Sequence, residues 1–475
     1  MSIVQNDQSL KPLKSRRRIL KYGLYSTLTA ALAPALLLNG CGASSKRRKK
    51  TNIILVVIDT LRADHLSCYG YQRNTTPNID AFAGQSIVWK NAISSAPWTL
   101  PSVASMLTSQ YPSAMGMYDK ITTIDANVPT LPEMLKQNNY TTHGIVSHAL
   151  LSARLGFGRG FDHYDEESLF GHQGISSPLV TNKAASFLKQ KHKNPFFLFL
   201  HYFDPHYDYL LHKKYNFYKS YKGTVKSGHP ILDLWKIRHN LSKDDIKYLA
   251  SLYDSEIAFT DEYIGVLLNE LKKQGLYDDS VIIITSDHGE EFMERGWIGH
   301  TTTLHQELIR VPLIIKFPGH KARIIDSPVG LVDIVPTLCQ YLGLKVPDSL
   351  DGKALLDFTL DKPKTRGPVF SETFNPQVHQ PETVKPIAFR SIVLGDHKLI
   401  FDQITKAKQI YNLSEDPHER NNLSQQQSKE NARLKALLAS WIGYMNSKQV
   451  KGPAQDQTEL FTPEQRKKLK ALGYL

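Results

Sequence analysis

Four stretches of the chain are near-continuous apolar runs rather than alternations of apolar and polar positions. They are "TNIILVVIDT" (Thr51–Thr60), "PFFLFLHYFDPH" (Pro195–His206), "DSVIIITSDHGEE" (Asp279–Glu291) and "RVPLIIKFPG" (Arg310–Gly319). Such runs predict strands buried on both faces of a parallel sheet. Between them the period lengthens, as in "DIKYLASLYDSEIAFTDEYIGVLLNELKKQG" (Asp245–Gly275), which predicts a long amphipathic helix. Strands alternating with helices predict a doubly wound α/β domain over residues 51–355. After about Asp351 the segments become shorter and more polar, in "KPIAFRSIVLGDHKLIFD" and "KQIYNLSEDPHERNNL". These predict the hairpin strands of a small antiparallel sheet over 356–425. A helical, charged tail follows over 426–475.

In open sheets of this kind ligands gather at the carboxyl ends of the strands. Three of the predicted strands deliver acids and imidazoles there: Asp59, then Asp204 with His206, then Asp287 with His288. Asp59, Asp287 and His288 are two carboxylates and one imidazole, a set suited to Zn²⁺ or Mn²⁺. The stretch "SSAPWTLPSVASMLTSQYP" adds a hydroxyl. Pro97 and Pro101 bracket Thr99, and Ser102–Leu107 reads as a helix starting up, which sets Thr99 just ahead of a helix N-terminus, where anions bind. A hydroxyl on a divalent cation is acidified and can attack an electrophilic phosphorus or sulfur. Equally, a Thr at that place can serve as a helix cap. Both roles are open on these residues alone.

The net charge of +13 invites a nucleic-acid partner, but its distribution argues against one. Residues 1–50 hold eleven Lys and Arg against Asp7, a net +10, which leaves +3 for residues 51–475. The basic segment has the parts of an export signal. "SRRRILK" (Ser15–Lys21) resembles a twin-arginine signal, an apolar stretch follows to about Leu38, and "LNGC" resembles a lipobox with Cys41 as the lipidated residue. The alternative is an uncleaved N-terminal anchor. Either way the body lies on the periplasmic side of a bacterial membrane, and residues 42–50 form a basic tether beside anionic headgroups. Cys68 and Cys339 are too few for a disulfide framework.

Seven segments in collinear order carry a resemblance. "NIILVVIDTLRADHLSCYGY" through "TPNIDAFAGQSIVWKNAISSAPWTLPSVASMLTSQYP" resembles the opening of the sulfatase family, within the alkaline phosphatase superfamily. "FFLFLHYFDPHYDY", "VIIITSDHGEE", "GHTTTLHQELIRVPLIIKFPG", "VDIVPTL", "LDGKALL" and "YNLSEDPHERNNL" resemble successive later segments. The resemblance implies a large mixed sheet flanked by helices with a small C-terminal antiparallel sheet. It implies one divalent cation (Zn, Mn or Ca) on Asp59, Asp287 and His288, completed by Thr99. It also implies Thr99 at the nucleophile position, His206 and His300 on the substrate anion, and His148 as a further substrate contact. A second cation would draw on Asp204, His206, His300 and His305.

Departures from the sulfatase pattern bear on chemistry. Sulfatases carry Cys, or sometimes Ser, where Thr99 stands, with an Arg further on; here Val103 follows Ser102. The Cys matures to formylglycine, whose hydrate releases sulfate by collapsing to the aldehyde. Threonine does not undergo that maturation. Thr60 replaces a second Asp, and His288 stands where sulfatases have Asn. These changes resemble the Thr-nucleophile relatives that act on phosphodiesters and phosphonates. The expected activity is therefore hydrolysis of a phosphodiester, phosphonate or sulfate ester. A phospho-substituent transferase on an envelope lipid or glycan is the alternative, and a binding protein that kept the fold is a third class.

Overall fold

The structure is a computed structural model that describes residues 51–117, 120–167, 175–357, 362–363, 367–374, 387–448 and 456–473. The export signal, Cys41 and the basic tether lie outside the described residues.

Strand β1 (Asn52–Ile58) is apolar because it sits at the middle of the sheet with strands on either side. Its Ile and Val residues are fully buried. The other strands are β2 (Ile87–Ile93), β3 (Thr141–Ile145), β4 (His163–Asp165), β5 (Phe196–Tyr202), β6 (Ser280–Thr285), β7 (Arg310–Lys316), β8 (Arg323–Ile325) and β9 (Val329–Gly330). Among the described residues they form one nine-stranded sheet in the order β8-β2-β7-β6-β1-β5-β3-β4, with β9 also on β2. Strands β5 and β6 flank β1 in parallel, while β7 runs antiparallel to both β6 and β2. The sheet is mixed, as the resemblance implied. The four apolar runs became β1, β5, β6 and β7.

Three helices matter for the site: α1 (Thr99–Thr108), α2 (Ser177–Leu188) and α3 (Lys243–Lys273). The long helix α3 opens on a capping box in which Ser242 and Asp245 satisfy each other's backbone N–H groups. Among the described residues no helix is long and apolar enough to cross a membrane.

The small C-terminal antiparallel sheet is present, as β10 (Val369–Phe374), β11 (Ala388–Leu394), β12 (His397–Asp402) and β13 (Lys408–Asn412). Strand β10 buttresses the turn ahead of Thr99: the Ser371 hydroxyl donates to Ser94 O (2.6 Å) and Glu372 N–H to Ser95 O (2.9 Å). The tail forms α4 (Lys429–Lys448) and α5 (Pro463–Ala471). Phe461, Leu469 and Leu472 return to the main core.

Candidate active site

Asp59 is the first residue after β1, and its N–H donates to Tyr202 O on β5 at 2.9 Å. The next residue, Thr60, turns the chain in the left-handed region (φ 55°). That turn aims the Thr60 N–H at Asp287 Oδ1 (3.2 Å), which also accepts from His288 N–H (2.9 Å). Asp287 and His288 follow β6, so the neighbouring strands β1 and β6 bring all three groups together. One oxygen each of Asp59 and Asp287 and one nitrogen of His288 lie within 4.8 Å of one another, all buried.

The chemistry of this set fits a divalent cation. Both carboxylate oxygens of Asp59 and Oδ2 of Asp287 are buried without a hydrogen-bond donor. Leaving carboxylate oxygens so exposed to each other is costly unless a cation joins them. Burial, then Asp287 and Glu290, hold the Asp59 carboxyl well above its ordinary value in the absence of a cation. The His288 ring is oriented as a ligand. Its Nδ1–H donates to Gly289 O (3.0 Å), which leaves a lone pair on Nε2, 3.6 Å from Asp59 Oδ1 and 3.5 Å from Asp287 Oδ2. Burial lowers its pKa, so the ring is neutral.

Thr99 is fully buried, and its Oγ1 lies 3.3 Å from His288 Nε2. The helix begins at Thr99 itself rather than at Ser102, with Trp98 as the N-cap residue and no side-chain cap. Pro101 therefore falls inside the first turn, where a missing N–H has no partner to lose. Ser102 is the structural hydroxyl: its Oγ donates to Asp287 O (2.7 Å) and touches Ser94 Oγ (2.8 Å).

A second set of ligand-type atoms, from Asp59, His148 and His206, also lies within 4.8 Å. The protonation of His148 removes it as a cation site. Leu150 N–H donates to His148 Nδ1 (3.0 Å), so the neutral ring carries its proton on Nε2. That Nε2–H is a donor, suited to an anionic oxygen and not to a metal. His206 is the opposite tautomer, with Nδ1–H on Tyr207 O at 3.0 Å.

His300 joins the same cluster, its ring 4.5 Å from that of His288 and 5.1 Å from that of His206. Its Nδ1–H donates to Glu290 Oε1 (2.9 Å), and its ring stacks on Tyr207. The loop bearing it is tied to the Thr99 turn through Thr301 N–H on Pro97 O (3.0 Å). It is tied to the segment 212–240 through Trp235 Nε1–H on Ile298 O (2.7 Å).

Asp204 and His305 do not join. Asp204 Oδ2 accepts from the N–H and Oγ–H of both Ser176 and Ser177, so it holds the start of α2. His305 precedes the short helix Gln306–Ile309, its Nδ1 2.9 Å from Thr303 Oγ1, and burial, with Lys398 and Arg295, pushes its pKa down to about 2. The set of Asp204, His206, His300 and His305 on which a second cation would draw is not assembled. Two residues that sequence reasoning passed over are present instead. His201, fully buried on β5 opposite Val57, has Nε2 3.6 Å from Asp59 Oδ2. Glu290 orients His300.

The sulfatase family profile matches residues 51–344, and a profile described as N-sulphoglucosamine sulphohydrolase, C-terminal, matches 293–442. An N-acetylglucosamine-6-O-sulfatase of Bacteroides thetaiotaomicron is 26% identical, over 93% of this chain and 94% of the relative. Among solved structures, one in complex with its substrate D-glucosamine-2-N,6-O-disulfate superposes with a TM-score of 0.68 at 22% identity, covering 86% of this chain and all of the other. A phosphonate monoester hydrolase of Agrobacterium radiobacter gives a TM-score of 0.67 at 20% identity, covering 84% of this chain and 96% of the other.

Proposed function

The chain belongs to the sulfatase family, and from that premise we propose that it hydrolyses an anionic ester with unmodified Thr99 as nucleophile. One observation carries the reading: Thr99 Oγ1 faces the lone-pair nitrogen of His288 beside three buried carboxylate oxygens, both of Asp59 and Oδ2 of Asp287, that lack a hydrogen-bond donor. A divalent cation (Zn, Mn or Ca) held by Asp59, Asp287 and His288 would acidify the Thr99 hydroxyl and draw charge from a non-bridging ester oxygen.

The rest falls to the chain's own groups. Helix α1 fixes Thr99 at its first residue, and Ser102 on the same helix fixes the Asp287 backbone. The His148 Nε2–H donates to a non-bridging oxygen of the ester. As the Thr99 hydroxyl gives its proton to the lone pair on Nε2 of His300 or His206, its oxygen bonds to the central atom and the bond to the leaving oxygen breaks. The imidazolium so formed passes that proton from Nε2 to the departing alkoxide, its Nδ1–H staying on Glu290 Oε1 (His300) or Tyr207 O (His206). Water then attacks the same central atom and gives a proton to that Nε2, the bond to Thr99 breaks, the Thr99 oxygen takes the proton back, and the substituted acid is released.

Phosphorus is favoured over sulfur on chemical grounds. A threonine ester has no aldehyde to collapse to, so release depends on attack at the central atom, which a phosphoryl or phosphonyl group accepts. A sulfated-sugar substrate is the second reading. It is favoured by the relationship to an N-acetylglucosamine-6-O-sulfatase along nearly the whole of both chains. Turnover of aryl sulfate, phosphate monoester, phosphodiester and phosphonate by one purified preparation decides between them. We further propose that the body is exported and anchored by lipid on Cys41.

A further inference from the structure

The end of the sheet opposite the candidate site has its own chemistry. Strands β1 and β5 begin there, and Phe196 N–H donates to Asn52 Oδ1 (3.1 Å). Helices α2 and α3 end there, since each runs back from the carboxyl ends of the strands. A cavity of about 610 Å³ is lined by Asn52, the segment 188–196, Gln274 and Leu276, so the two helix ends and the start of β1 meet around it. The segment "KQKHKN" (Lys189–Asn194) and the pair Lys272–Lys273 give this rim five exposed lysines. Among the described residues none of the five forms an ion pair, and Lys272 lies over the Tyr277 ring instead. The nearby acids are Asp278, paired with Lys316 at 3.4 Å, Asp279, and Glu270, which accepts from Gln274 Nε2 at 2.8 Å. Six cations against three acids leave a net +3 at this one end, as much as the whole of residues 51–475 carries.

Helix dipoles account for part of the pattern, because Lys272 and Lys273 lie in the last turn of α3 and Lys189 follows α2. They do not account for Lys191 and Lys193, which lie beyond the helix. The described chain also begins on this rim, where Tyr140 Oη–H donates to Thr51 O (3.0 Å). Residues 46–50, all Lys or Arg, immediately precede Thr51 in the sequence.

We propose that this end of the sheet is a docking face for an anionic phospholipid bilayer. Loop lysines beside Thr51, which follows a basic run in the sequence, are the charge pattern such a surface attracts. The consequence for activity is orientation. Asp59 lies a seven-residue strand away from Asn52, roughly 3.3 Å per residue. A body seated on this face therefore holds its site turned away from the bilayer, toward esters that approach from solution or from the envelope.

The test uses vesicle flotation with the chain beginning at Thr51, which contains every described element and the three buried apolar clusters. It binds phosphatidylglycerol-rich vesicles and not pure phosphatidylcholine vesicles at moderate salt. The triple variant Lys189→Glu, Lys191→Glu, Lys193→Glu loses roughly a hundredfold or more in partitioning, while its turnover in solution stays at the wild-type level. The triple variant Lys406→Glu, Arg420→Glu, Lys429→Glu, on the C-terminal sheet and helix, removes the same number of cations and keeps most of the binding. Equal binding by the loop variant and wild type overturns the proposal, as does equal loss in both triple variants or wild-type indifference to phosphatidylglycerol. None of these readings depends on which ester the enzyme cleaves.

Discussion

Thr99 Oγ1 and His288 Nε2 stand 3.3 Å apart across the junction of helix α1 with the turn after β6, both fully buried. The contact joins a hydroxyl that caps no backbone group to an imidazole whose other nitrogen is already committed to Gly289 O. Each side chain is thereby turned to the same point, the one on which Asp59 and Asp287 also converge.

Removing the cation should expose the repulsion that it offsets. Asp59 in the cation-free protein has its pKa raised by burial, Asp287 and Glu290, above the unfolded value. The folded state then holds the proton longer than the unfolded state. The contribution of this group to stability accordingly falls as pH rises from the unfolded pKa through the raised one. Chelator-treated protein should lose thermal stability toward neutral pH, and Asp59→Asn should recover part of the loss while remaining inactive. Lower stability of chelated Asp59→Asn than of chelated wild type would contradict this.

Asp287→Ala should abolish metal uptake and turnover together, since it removes one ligand and the acceptor of the Thr60 and His288 N–H groups. Metal content by mass spectrometry of purified protein reads the first, and a hydrolysis assay the second. Full activity without bound metal would end the cation proposal.

His148→Gln should separate the two overlapping sets of ligand-type atoms. On the proposed role, in which His148 serves the substrate through its Nε2 proton, metal content should be unchanged while kcat/KM falls about 10- to 1000-fold. A variant that loses its metal would show that the ring is a ligand.

Asp204→Ala should behave as a loss of structure rather than of chemistry. Oδ2 of Asp204 takes four donors from Ser176 and Ser177, and their loss should cost about 1–3 kcal/mol in denaturant unfolding. Metal stoichiometry should stay at the wild-type value.

Labelled palmitate should enter the full chain but not Cys41→Ala. Equal labelling of the two would remove the lipoprotein assignment.

The sequence made some of these features plain and hid others, for physical reasons. Strands β1, β5, β6 and β7 were legible because strands buried on both faces need continuous apolar residues, and their ends announced Asp59, Asp287 and His288. Strand β2 was not, because "IVWKNAI" carries an exposed lysine in its middle where pairing with β7 shifts register. "TTHGI" of β3 has too little apolar length to stand out. Asp204 looked like a ligand because it ends a strand, and its true partners lie 27 and 28 residues earlier in sequence. Pro101 hid the true start of α1, since a proline reads as a first-turn marker without saying which position it holds. His201 had one available signal, a lone imidazole inside an apolar strand, in register with Val57 two residues before Asp59.

The central claim is that Thr99, unmodified, is the nucleophile, and trapping its ester tests this most directly. A slow aryl phosphodiester or phosphonate is incubated with enzyme, the reaction is quenched in acid, and intact-protein and peptide mass spectrometry follow. The expected result is a phosphoryl or phosphonyl adduct on Thr99 with no prior modification of that residue. Alongside it, Thr99→Ala should lose about 10³-fold or more in turnover. Ser102→Ala, which loses only the bonds to Asp287 O and Ser94, should lose within about tenfold, at some expense of stability. An adduct on Ser102, or near-normal turnover by Thr99→Ala, would contradict the account.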